Sequence, residues 1–159
     1  MVFGLINNWK IILFLFFLSF SIFKIIPLIQ EAQAQQLVLF NFKQLNCLEQ
    51  NIYYEASGEP FKGKLAVGIV TLNRKNLKNK TICEIVYEPG QFSWTLNPFN
   101  TKTVFTEDIQ LAAKLVTEYP IKIYGLENAI YFHNKSVNPA WSKVKTKVAT
   151  IGQHIFYSE

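Results

Sequence analysis

The stretch Gly63-Lys64-Leu65-Ala66-Val67-Gly68-Ile69-Val70-Thr71-Leu72 constrains the fold more than any other part of the chain. Leu65, Ile69 and Leu72 fall on one helical stripe, and Ala66, Val67, Gly68 and Val70 surround it, so the helix is apolar on nearly every side. Such a helix is stable only inside a core, and the remaining elements have to wrap it. It starts near Pro60 and ends before the Asn/Lys-rich residues 75 to 80.

Just upstream, Leu45, Leu48, Ile52 and Ala56 recur at near-helical spacing from Lys43, and Gly58 and Pro60 end that helix. Glu55 falls in its last turn at the edge of the apolar stripe. Partial desolvation and the negative end of the helix dipole both raise a carboxyl pKa, the direction a general acid near neutral pH requires. A merely solvated glutamate is the alternative. Further on, Thr81-Ile82-Cys83-Glu84 reads as a capping box that opens a short helix through Tyr87, and Pro89-Gly90 stops it. Gln91-Phe92-Ser93-Trp94 reads as an extended segment or loop. A last helix is predicted over 106–119, and the aromatic runs 129–133 and 154–157 as strands of a small antiparallel sheet.

Residues 11–23 are almost wholly apolar, follow Lys10 and lead through Pro27 to Ala32-Gln33-Ala34. This is the pattern of a signal peptide cleaved after Ala34, with an uncleaved anchor as the alternative. Residues 35–44 form a junction, polar around Gln33 to Gln36, and 45–159 one domain. Removing residues 1–34 leaves 125 of the 159 residues and takes the net charge from +5 to +4, since that stretch carries two lysines and one glutamate. A modest positive charge suits an anionic envelope polymer, and export makes nucleic acid the least favoured partner. Contact with a membrane is expected only through the N-terminal segment, and the domain is expected to be a monomer. Cys47 and Cys83 both lie in the exported part, where a disulfide between them is plausible and two buried thiols are the alternative. Cys47, Cys83, His133 and His154 lack the close paired spacing of a zinc motif, so neither a metal nor another cofactor is expected.

Three separated segments resemble the SleB-type cell wall hydrolases, named for the spore cortex-lytic enzymes. Residues 51–59 (Asn-Ile-Tyr-Tyr-Glu-Ala-Ser-Gly-Glu) resemble the family's N-I-Y-x-E-A-R-G-E motif, and 63–74 its G-x-L-A-V-x-x-V-x-L-N-R pattern. Ile82-Cys83, Val86-Tyr87 and 91–94 resemble its I-C-x-V-V-Y-x-x-x-Q-F-S-W segment. Tyr131-Phe132-His133, Asn138-Pro139-x-Trp141 and 151–157 resemble its closing aromatic segments. The resemblance covers about Cys47 to Tyr157. It implies a compact lysozyme-like α+β domain, several helices with a small antiparallel sheet, that cuts peptidoglycan glycan strands at the muramic acid linkage.

Under that resemblance Glu55 is the catalytic acid, and Ser57 replaces the commoner arginine, removing a fixed cation close to it. Glu59, Gln91, Phe92, Trp94, Tyr131, His133 and Trp141 are the candidate glycan-binding residues, because sugar rings need aromatic faces and amides. Core packing is the alternative for Phe92. Glu59, Glu49 and Asp108 are the candidates for the second carboxylate that two-carboxylate hydrolysis requires. The family also resembles lytic transglycosylases, in which one acid suffices, and that outcome is favoured. Two other readings stay open: a non-catalytic peptidoglycan-binding envelope protein on the same scaffold, and an amidase of the stem peptide.

Overall fold

The computed structural model describes residues 5–97, 106–120, 123 and 125–159. The first four residues of the expected signal peptide therefore lie outside the described residues. The chain forms two units, Met1–Asn41 and Phe42–Glu159.

Helix α1 (Leu5–Ala56) supplies the first unit and continues into the second. The expected polar junction is helical: residues 31–36 are Glu, Ala and Gln, all strong helix formers, and nothing there breaks the ladder. In the first unit Phe14, Phe23 and Leu28 are exposed. Among the described residues, no helix is long and apolar enough to cross a membrane.

The second unit is built around α2 (Phe61–Lys78), whose residues Ala66, Val67, Ile69, Val70 and Leu72 are buried. Helix α4 (Thr106–Glu118) crosses it at Gly68, where an added Cβ would lie 2.3 Å from Leu115 Cδ1. That close approach explains the glycine within the apolar run. α2 outlasts its expected end because Asn79 adopts φ +50° and closes it with N–H bonds back to the carbonyls of Lys75 and Asn76. The short helix α3 (Ile82–Val86) opens with the capping box Thr81/Glu84, both reciprocal bonds being present. Cys47 of α1 and Cys83 of α3 form a disulfide. Ser93–Leu96 form a 3₁₀ turn rather than an extended segment.

The sheet has three antiparallel strands, β1 (Tyr131–Asn134), β2 (Thr146–Ile151) and β3 (His154–Ser158), in the order β1-β3-β2. β2 lies outside the two runs expected as strands. It is a largely exposed edge strand with an irregular register at Lys147/Ala149, so it lacks the clean apolar alternation that marks a strand. On β1, Phe132 packs toward the core with Phe156, whereas Tyr131 and His133 point to the other face.

Candidate active site

Glu55 stands in the last turn of α1, which ends as Ser57 N–H donates to Tyr53 O at 2.9 Å and Glu59 N–H to Ala56 O at 3.0 Å. Asn51 and Ile52 one turn earlier and Leu48 two turns earlier are fully buried, and Glu55 itself is half-buried. Its carboxyl is pushed up from 4.5 to about 6 by burial, an effect that the positive charge of Arg74 on α2 partly offsets. Ser57 thus carries no cation close to Glu55, and the charge that acts on the carboxyl comes from Arg74 instead.

This shift has a consequence for stability. The folded state disfavours ionised Glu55, so the native protein loses stability as pH rises from about 4.5 through about 6. Glu55→Gln removes that cost. The variant is expected to be more stable than wild type at pH 7, by up to about 2 kcal/mol, and no more stable at pH 4. Urea unfolding at the two pH values checks this, and equal stability at pH 7 would contradict it.

The candidate second carboxylates are all occupied or buried. Glu49 is 1% exposed. Asp108, 3% exposed, is paired with Lys64 at 2.8 Å. Glu59 accepts Gln153 N–H at 2.9 and 3.2 Å through its two oxygens and lies 3.8 Å from His154 Nδ1. It reaches into the β2–β3 turn, where Gly152 has φ +57° and a Cβ would stand 1.7 Å from Glu59 Oε2. Glycine is required there twice over, by backbone and by space.

The aromatic candidates divide into two groups. Trp94 is half-buried, stacks on Tyr54 with ring centroids 4.6 Å apart and donates Nε1–H to Asn51 Oδ1 at 3.2 Å. Asn51 in turn donates to Thr71 of α2 at 3.0 Å. Asn51 and Glu55 are one turn apart, so this bond holds Trp94 beside the helix face that carries Glu55. Gln91 is half-buried at the turn before it. The second group covers the outer face of the sheet: Trp141 packs on Tyr131 and His133 at 5.5 Å each, and His133 Nε2 bonds the Tyr157 hydroxyl at 2.9 Å. The Tyr131 hydroxyl donates to Glu159 at 2.5 Å.

Phe92 requires a correction. It is 3% exposed, lies under the Arg74 guanidinium and tilts against Phe132, so it is core and unavailable to a sugar. Sequence reasoning also gave no role to Asn51, Tyr54, Asn73 and Arg74. Asn73 donates to Leu126 O and Ala129 O and accepts from the Tyr119 hydroxyl, tying α2 to the entry of β1. Two adjacent polar residues at the end of an apolar helix were the available signal. A cavity of about 500 Å³ opens beside the loop after α1, lined by Ser57, Glu59, Phe61, Lys64 and Leu111 among others, though not by Glu55.

The family model described as Cell Wall Hydrolase matches residues 58–157. The chain belongs to the Cell Wall Hydrolase family. The match begins three residues after Glu55. Within this cell wall hydrolase, 120 residues are 27% identical to the spore cortex-lytic enzyme of Bacillus subtilis (strain 168), covering 74% of the chain and 38% of the relative. The spore cortex-lytic enzyme of Oceanobacillus iheyensis is 28% identical over 123 residues, covering 74% and 42%. The chain thus spans about two fifths of the length of these relatives. The fold is that of the catalytic domain of the germination-specific lytic transglycosylase SleB from Bacillus anthracis, with a TM-score of 0.63 at 24% identity, covering 72% of this chain and 93% of that one.

Proposed function

We propose that this cell wall hydrolase cuts peptidoglycan glycan strands at the muramic acid linkage, with Glu55 as its general acid. The observation that carries the reading is a half-buried carboxyl held up at about 6 by desolvation, with each candidate carboxylate partner buried or already bonded. The names of the curated relatives, spore cortex-lytic enzymes, and of the Cell Wall Hydrolase family are in keeping with cleavage of the cell wall.

A glycosidic oxygen leaves only if it is protonated as positive charge develops on the sugar ring. In this reading Glu55 donates its proton to the leaving oxygen, which keeps the electron pair of the broken C–O bond. The 6-hydroxyl of the muramic acid then attacks the ring carbon and returns its own proton to the Glu55 carboxylate. The product is a 1,6-anhydro sugar, no water is consumed and the acid is regenerated. A single carboxyl serves as acid and then base, in keeping with the engagement of Glu59, Glu49 and Asp108 elsewhere.

Trp94, Gln91, Tyr131, His133 and Trp141 are the proposed glycan contacts. Glu59 is reassigned to holding the β2–β3 turn against the acid's loop. The domain acts outside the cytoplasm, delivered by a signal peptide over 1–34 that is cleaved after Ala34 or kept as an anchor.

Cleavage requires protonated Glu55, so the rate is expected to fall as pH rises through about 6. Initial rates of dye release from labelled peptidoglycan across pH 4 to 9 test this. A rate that climbs steadily to pH 8 would contradict an acid role for Glu55.

A further inference from the structure

A guanidinium is costly to bury unless its N–H groups find acceptors. Arg74 is only 9% exposed, yet its Nη1 has no hydrogen-bond partner among the described residues. The group is nonetheless firmly held. Its Nε–H donates to Ile130 O at 2.6 Å, and its guanidinium carbon lies 5.3 Å from the centroid of the Phe92 ring. Both contacts fix where the charge sits, and neither uses Nη1.

The groups around it narrow what Nη1 serves. The Asn51–Thr71 bond joins α1 to α2 at 3.0 Å, and Glu55 and Arg74 each stand one turn from it. The charged or titratable groups around Arg74 are Glu55 from α1, Tyr131 from β1 and Glu88 from the turn after α3. Glu88 is already paired with Lys78 and Lys80, and the Tyr131 hydroxyl is bonded to Glu159. Glu55 remains as the group whose charge is not otherwise matched, and Arg74 is the one charged group acting on it among the described residues.

We propose that Arg74 is a positioning residue that acts through Glu55: its fixed cation and unengaged Nη1–H stabilise the carboxylate formed when Glu55 gives its proton to the leaving oxygen. This rests on the reading of Glu55 as the acid. The charge on Glu55 exists only after the proton has left, so stabilisation by Arg74 favours the transition state over the protonated ground state. It also keeps burial from raising the carboxyl so far that the acid becomes too weak to donate.

Two variants and two readouts test this. Arg74→Met keeps the long stem over Phe92 and removes the charge, while Arg74→Lys keeps the charge. In Arg74→Met, ¹³C NMR of the side-chain carboxyl is expected to show Glu55 titrating at least about half a pH unit above wild type. The alkaline limb of the rate profile moves with it, and kcat falls at least about tenfold while KM changes little. A purely structural role would lower activity without moving either midpoint. An unchanged Glu55 titration in folded Arg74→Met overturns the proposal. If Arg74→Met does not fold, Arg74→Lys decides: Glu55 should titrate within a few tenths of a pH unit of wild type, and a midpoint raised as far as about half a unit overturns the role of charge. Failure of the acid reading is separately visible, because Glu55→Gln would then still cleave while the NMR titration continues to report on Arg74.

Discussion

Glu55→Gln is expected to fold, to bind peptidoglycan and to lose about 10²- to 10⁴-fold or more in cleavage rate, the usual worth of general acid catalysis. The amide keeps the shape of the side chain and cannot supply the proton. The site favours a clean result, since Glu55 accepts no hydrogen bond from the described residues and its removal orphans no partner. Glu59→Gln is the control. Its carboxylate accepts Gln153 N–H and the amide keeps one acceptor oxygen, so the expected effect is a loss of about 1 kcal/mol in stability with activity per folded molecule largely kept. Near-normal cleavage by folded Glu55→Gln, or a loss confined to Glu59→Gln, would move the acid elsewhere in the motif.

Replacing Cys47 and Cys83 together by Ala is expected to cost about 4 kcal/mol of stability, because the bridge closes a loop between residues 36 apart and restricts the unfolded chain. The effect is large against the 5–15 kcal/mol of net stability typical of a domain, roughly. The bridge fastens α3 to the helix that carries Glu55 and lies two turns before it. Activity should therefore fall at elevated temperature in parallel with the folded fraction. Urea unfolding of the two proteins checks the figure, and identical midpoints would show that the bridge contributes nothing.

What could be read from the sequence was whatever depends on near neighbours. The all-round apolar stripe placed α2 at the centre, and the Thr81/Glu84 spacing gave α3 its capping box. Glu55 was legible because the buried positions Ile52 and Leu48 lie on its own helix, one and two turns earlier. Most of the misses involve long-range partners. Arg74 and Asn73 are used by the carbonyls of Ile130, Leu126 and Ala129, more than fifty positions away, and no local pattern shows that these carbonyls arrive there. The position of Phe92 beneath Arg74 follows from the same meeting of α2 with the β1 entry. Strand β2 carries four β-branched residues, Thr146, Val148, Thr150 and Ile151, a local strand signal that was passed over, and its pairing with β3 is irregular at Lys147/Ala149. The engagement of Glu59 by the hairpin turn depends on Gly152 and Gln153, distant in the chain.

Mass spectrometry of the muropeptides that the purified protein releases from peptidoglycan tests the central claim most directly. The account predicts soluble fragments with intact stem peptides and 1,6-anhydro-muramic acid ends, formed by wild type and absent with Glu55→Gln. Free stem peptides from uncut glycan strands, or no release from several peptidoglycan types by wild type, would contradict it.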